Sequence, residues 1–245
     1  MSEDLECGIG VIVPSSNRTV ERVTETVLAR FDGLAACYAR IPLWGDARAG
    51  GQNPNAYDFP PILEATEQLA HAKVELLCWN GTKGASIGFD PDRELAAALT
   101  KSTGIKAVST ALATLDLFDL LNIHKVALII PGRETLAELI AEQFGLRGID
   151  IVAKGWLGVT DNFACAEVPP SELARMVREQ VQASDAQAAL IFNTNARGLT
   201  IMAPLEQELS IPVLDSTAIG VWACLRALDI DPRPAADLGQ LFRTT

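Results

Sequence analysis

Val11-Ile12-Val13-Pro14-Ser15-Ser16-Asn17, with Thr19 opening a helical pattern behind it, decides the fold of this chain. A continuous apolar run of this kind suits a strand buried on both faces, as in a parallel sheet. The unit returns 117 positions later, from Pro14 to Pro131, as Leu128-Ile129-Ile130-Pro131 with Thr135 behind it. A second unit, Leu77-Cys78-Trp79-Asn80-Gly81-Thr82-Lys83, has its counterpart in Ala189-Leu190-Ile191-Phe192-Asn193-Thr194-Asn195, offset by 113 or 112 according to how the turn is aligned. Similar spacing in both parts predicts two related α/β halves facing each other across a cleft.

Working outward, apolar runs at 9–14, 74–79, 107–109, 125–130, 149–155, 188–192 and 212–214 read as strands. Between them, apolar residues at helical spacing predict helices over 19–30, 61–72, 93–101, 111–121, 134–144, 170–183, 203–209 and 217–228. Ser171 and Ser216 supply start signals for two of these. The alternation points to an α/β fold of two pseudo-symmetric three-layer α/β/α halves with mostly parallel sheets. We place the first half at 8–118, closed by the helix 217–228, and the second at 124–216.

The composition narrows the function classes. The 245 residues are 49% apolar, enough for a full core. Twenty basic against 31 acidic side chains leave a charge of −11, which disfavours nucleic acid and anionic membranes as partners. No apolar segment is long enough to span a bilayer, and the acidic start Met1-Ser2-Glu3-Asp4 does not read as a secretion signal. Five scattered cysteines and two histidines read as reduced thiols in a cytoplasmic protein, with no metal site and no cofactor motif.

In open α/β sheets, ligands bind outside the carboxyl ends of the strands, beside helix N-termini. Those ends carry Pro14, Ser15 and Asn17; Gly81, Thr82 and Lys83; Gly132 and Arg133; Asn162; and Asn193, Thr194 and Asn195. Small neutral donors gathered there predict a cradle for a small carboxylate, although each alone also reads as a helix cap or turn former. Lys83 reads as a carboxylate partner or base, or else as a solvated charge. Arg133 and Arg197 read as forks for a substrate acid or as structural bridges to Glu134 or Asp161, the latter favoured for Arg197. Cys78 and Cys165 are the thiols nearest this site, while His71 and His124 fall at the opposite end of the sheets. The glycine-rich stretch 44–57 reads as a lid.

Val13-Pro14-Ser15-Ser16-Asn17, Asn80-Gly81-Thr82-Lys83-Gly84, Ile130-Pro131-Gly132, Thr160-Asp161-Asn162 and Phe192-Asn193-Thr194-Asn195-Ala196-Arg197 together resemble the aspartate/glutamate racemase superfamily. The branch resembled is that of maleate cis-trans isomerases and arylmalonate decarboxylases. The resemblance implies a cofactor-independent, isomerase- or lyase-like enzyme acting on a small carboxylate, and carries over Pro14, Asn17, Thr82, Asn162 and Thr194 as carboxylate-binding residues. It also exposes departures: the two family cysteine positions fall on Gly81 and Asn193, and the branch's tyrosine falls on Gly132. Neither residue serves two-base racemisation or covalent isomerisation. The expectation is therefore lyase, decarboxylase or hydrolase chemistry with Lys83, Asn193 and Asn195 facing inward. A non-catalytic carboxylate sensor, or a conventional isomerase using Cys78 or Cys165, are the alternatives. Exposed apolar helices predict a homo-oligomer.

Overall fold

The computed structural model describes residues 6–46 and 53–244. The first part of the chain runs β1 (Cys7–Pro14), α1 (Val20–Leu28), β2 (Leu34–Ile41), α2 (Phe59–His71), β3 (Leu76–Trp79), α3 (Gly84–Ile87), α4 (Asp90–Thr103), β4 (Ala107–Ser109) and α5 (Thr110–Leu121). It continues with β5 (Lys125–Ile130), α6 (Glu134–Gly145), β6 (Asp150–Trp156), α7 (Pro170–Gln182), β7 (Ala188–Ile191), α8 (Leu199–Leu209), β8 (Val213–Asp215) and α9 (Ser216–Ala227). Short 3-10 turns occupy Ala164–Glu167, Arg233–Leu238 and Gln240–Arg243.

Two four-stranded parallel sheets result, ordered β2-β1-β3-β4 and β6-β5-β7-β8, with helices on both sides. Their ladders correspond residue by residue. Ile12 pairs with Trp79 and Trp79 with Ser109 in the first sheet; Ile129 pairs with Ile191 and Ile191 with Asp215 in the second. Aligning Ile12 on Ile129 sets Pro14 on Pro131, Gly81 on Asn193 and Thr82 on Thr194, which resolves the ambiguous turn offset to 112 (Gly81 to Asn193).

Three elements depart from expectation, among them the short helix α3, which has no predicted counterpart. The strand β2 was not predicted: in Leu34-Ala35-Ala36-Cys37-Tyr38-Ala39-Arg40-Ile41 the apolar run is built largely on alanine, which is depleted in strands, and there is no alternation. As an edge strand it pairs only with β1 and stays half-buried over most of its length, so little in its composition marks it. The helix α8 starts four residues before the predicted 203 and runs through Pro204.

The side chains of β3 alternate in the manner of a buried strand. Leu76 and Cys78 join the large core that runs through both halves, whereas Leu77 and Trp79 pack into a smaller cluster with Ile62, Leu69, Leu95 and Leu99 of α2 and α4. An aromatic chain, Phe89–Phe144–Phe192, links the halves at centroid separations of 5.3 and 5.7 Å. The last helix, α9, has its N-terminus capped by Asp215, whose carboxylate accepts from the Ala218 N–H. It is buried along residues 216–225 and packs on α1, α5, β3 and β4. Among the described residues, no helix is long and apolar enough to cross a membrane.

Candidate active site

The carboxyl ends of β3 and β7 face each other across the seam. After Trp79 the chain turns through Asn80, whose Nδ2 donates to the Thr217 carbonyl (3.2 Å) and whose Oδ1 accepts from the Thr110 hydroxyl (3.1 Å). The Thr217 hydroxyl in turn donates to the Thr194 carbonyl (3.0 Å), so α9 holds both turns from beneath. Between them lies a cavity of about 60 Å³ bordered by Gly81, Thr82, Lys83, Asn193 and Thr194, with Asn162 on a third side. Pro14, Leu43, Trp79, Leu136, Ile140 and Phe192 form apolar walls.

The donors come in matched pairs. Among the described residues, the backbone N–H groups of Thr82 and Thr194 have no hydrogen-bond acceptor, and the Thr82 hydroxyl has no partner. The Thr194 hydroxyl oxygen accepts from Asn17 Nδ2 (3.4 Å), which leaves its O–H to donate. Two N–H and two O–H dipoles around one small cavity are what a carboxylate or a developing oxyanion needs.

Other candidate residues are held elsewhere. Asn17 is buried, and its Oδ1 caps α1 through the N–H groups of Thr19 (2.8 Å) and Val20 (2.9 Å). Asn195 is a joint between the halves and does not border the cavity: its Oδ1 accepts from the Arg18 N–H (2.9 Å) and its Nδ2 donates to the Asn162 carbonyl (2.6 Å). Ser15 is exposed and exchanges bonds with the backbone of Leu43. Arg133 pairs with Asp46 (3.1 Å) rather than Glu134 or Asp161, and Arg197 donates to the Val168 carbonyl (3.0 Å). Gly132 lies off the cavity, and a Cβ there would meet only the tips of Leu136 (3.1 Å) and Ile130 (3.4 Å). Lys83 borders the cavity, with its ammonium on the carbonyls of Asn53 (2.5 Å) and Ala56 (2.7 Å). It thereby anchors the end of the predicted lid, of which residues 47–52 lie outside the described residues. The roof across the seam is an isolated bridge between Asp46 and Asp161, beside the bond from Asn162 N–H to the Gly45 carbonyl (2.6 Å).

Neither candidate thiol borders the cavity. Cys78 faces α9, with its Sγ 3.9 Å from the Gly220 carbonyl. Cys165 lies behind Asn193, whose Nδ2 is 3.7 Å from its Sγ. Burial, reinforced by the nearby Asp161, pushes the Cys165 thiol up to about 12, so the thiolate is disfavoured. The Asn193 Oδ1 accepts from the Asn195 N–H (2.8 Å), so this amide is engaged on both sides.

Sequence reasoning missed Trp79 as the wall beside Gly81. A Cβ on Gly81 would sit 2.5 Å from the indole Cε2 and Cζ2. The indole Nε1 donates to the Tyr57 hydroxyl (3.1 Å), and that hydroxyl donates to Asp92 (2.8 Å), which also accepts from Ser109. Burial raises the Asp92 carboxyl to about 6, against the lowering bonds from Ser109 and Tyr57. The second half also buries an acid: Asp215 is raised by burial to about 7, and its Oδ2 lies against Gly198. Among the described residues, no cluster of His, Cys, Asp and Glu is suited to a metal ion.

Two matched parallel-sheet α/β halves meeting at a donor-lined seam define the class of fold. Residues 60–242 match the arylmalonate decarboxylase family, and the chain belongs to that family. It is 27% identical over 244 residues to a maleate isomerase of Nocardia farcinica, covering 96% of this chain and 95% of that one. It is 26% identical over 248 residues to an arylmalonate decarboxylase of Bordetella bronchiseptica, with the same shares covered. Among solved structures, a maleate isomerase of Pseudomonas putida S16 with maleate superimposes with a TM-score of 0.86 at 22% identity, covering 98% of both chains. An arylmalonate decarboxylase superimposes with a TM-score of 0.76 at 20% identity, covering 97% of this chain and all of the other. The relatives are enzymes, and an isomerase- or lyase-like member of this branch is what the sequence had indicated.

Proposed function

We propose that this chain is an enzyme that holds a small carboxylate, dicarboxylate or acid amide between the Thr82 and Thr194 turns and transforms it without a cysteine at either turn. The observation that carries this reading is the pair of matched positions Gly81 and Asn193: one has no side chain, and the other is a neutral amide already bonded beneath the cavity. A covalently bound succinylcysteine intermediate is described for a cysteine-to-serine mutant of the Nocardia farcinica maleate cis-trans isomerase, and that route needs a thiol touching the ligand. A chemistry that fits the cavity better is loss of carbon dioxide from a malonate-type acid. One carboxylate rests against the apolar walls, where it is poorly solvated, while the other accepts bonds from Thr82 and Thr194. The C–C bond to the first carboxylate breaks, its electron pair moves into the enediolate of the second, carbon dioxide leaves, and water supplies the proton to carbon, leaving hydroxide that carbon dioxide takes up as bicarbonate.

The test is incubation with malonates, maleate and their amides, followed by proton NMR in D₂O, for the parent and for Cys78→Ala and Cys165→Ala. Turnover that survives in both variants supports the reading. Turnover abolished in a variant that remains folded returns the chemistry to that cysteine and refutes it. A non-catalytic carboxylate sensor is the second reading. It is favoured by the fact that Lys83, among the described residues the only titratable side chain on the cavity, has its ammonium on the carbonyls of Asn53 and Ala56. A ligand that raises the melting temperature and stays intact would establish it.

A further inference from the structure

Ion pairs of 3.1 Å or less engage eight of the arginines with carboxylates, as expected on so acidic a surface. Among the described residues, five arginines have no carboxylate partner: Arg18, Arg22, Arg197, Arg226 and Arg243. The first three converge on one groove of about 390 Å³, where Glu167 is the only acidic side chain among the described residues. The groove lies on the far side of the Asn195 joint and shares no bordering residue with the cavity between the turns. Its floor is apolar, from Val23, Pro170 and Leu199. The Arg18 guanidinium lies 6.0 Å from the centre of the Phe163 ring, which is 40% exposed.

We propose that this groove is a second small-molecule site, for an anion with a flat apolar body, of the aromatic dicarboxylate class. Its volume lies within the usual range for small-molecule sites, roughly 300–1,000 Å³. The exposed ring and the guanidinium over it form a slot for a planar group. Arg22 and Arg197 supply forked donors for carboxylates at its edge, and Arg197 is held in place by the carbonyls of Glu167 and Val168. Excess positive charge in a concave site on a protein of charge −11 concentrates anions there and nowhere near the acidic exterior. Because Arg18, Arg22 and Val23 come from the first half and Phe163, Pro170 and Arg197 from the second, one occupant touches both halves.

Calorimetric titration of the full chain with benzene-1,3-dicarboxylate tests this, with inorganic phosphate as the anion lacking a flat body. We expect saturable binding of the aromatic probe that weakens with added salt, and binding of phosphate at least about tenfold weaker. Arg22→Glu, an exposed change, should weaken the probe at least about tenfold, from loss of a charge-assisted fork and local repulsion, while Arg22→Lys weakens it less. Thr82→Ala should leave probe binding unchanged. Absence of binding at millimolar probe overturns the proposal, as does equal affinity in Arg22→Glu. Loss of binding in Thr82→Ala would assign the probe to the cavity between the turns. A change in sedimentation of Arg22→Glu without a change in probe affinity would assign the groove to a second copy of the chain. Either result would also overturn the proposal.

Discussion

Gly81→Ala is a one-carbon change that the structure expects to be severe. The backbone at Gly81 is not in the left-handed region, so conformation alone does not forbid a side chain. The obstacle is the Trp79 indole, 2.5 Å from the new carbon at two of its atoms. Relief requires the indole to shift, and the indole is buried and tied through Nε1 to the Tyr57 hydroxyl. Overpacking of this kind costs about 1–3 kcal/mol, and losing the partner of a buried donor adds about 1–3 kcal/mol. A total loss of about 2–6 kcal/mol is expected in urea unfolding. In a Trp79→Leu background the same substitution should cost less than about 1 kcal/mol, because the obstructing ring is gone. Gly132→Ala serves as the control: its new carbon meets only the flexible ends of Leu136 and Ile130, so its cost should stay below about 1 kcal/mol. A Gly81→Ala protein as stable as the parent, or costs that simply add in the double variant, would refute the assignment of the indole as the obstacle. The practical corollary is that a cysteine enters position 81 only when Trp79 is replaced too.

Asp215→Asn should flatten the pH dependence of stability. Burial raises the folded carboxyl from its ordinary 3.8 to about 7, so the folded chain binds this proton more tightly than the unfolded chain does. The contribution is fully present below about pH 4 and is lost as pH rises through about 7, a span worth about 4 kcal/mol. Urea midpoints at pH 4, 6 and 8 should therefore fall less steeply in Asp215→Asn, whose amide retains capping ability; parallel profiles would contradict this. Asn17→Ala should lower stability by about 1–2 kcal/mol through loss of the α1 cap, measurable as a lower melting temperature. Thr82→Ala and Thr194→Ala should instead weaken carboxylate binding by about 1–3 kcal/mol each with little loss of stability; unchanged affinity in both would remove the cradle.

The strands of the fold were legible because buried parallel strands are nearly continuous in Val, Ile and Leu, as in Val11-Ile12-Val13 and Leu128-Ile129-Ile130. The edge strand Leu34–Ile41 was not, since half-buried alanines carry no such signature. The turns that face the cavity were also legible, because hydroxyls, amides and glycines cluster at strand ends. Which of them turn inward was not. Asn195 is claimed by the Arg18 N–H and Arg133 by Asp46, partners 177 and 87 positions away. Such commitments depend on how the halves meet and leave no local pattern. Trp79 was hidden for another reason: alternation from Cys78 fixes the face its ring occupies, but not that the ring bends back over the space beside Gly81.

The position of α9 bears on how the protein comes off the ribosome. The first sheet, complete in sequence at Ser109, has a flank whose cover is completed by a helix spanning Ser216–Ala227, packed beside α1 and α5 on β3 and β4. With α5 ending at Leu121 and α9 beginning at Ser216, translation at about 5–20 residues per second leaves that flank incompletely covered for roughly 5–20 s. During that interval Leu76 and Cys78, destined for the interior beside α9, face solvent or a chaperone. A nascent chain halted before Ser216 should accordingly be captured by holdases and cut readily by proteases, although nearly all of both sheets has by then been synthesised.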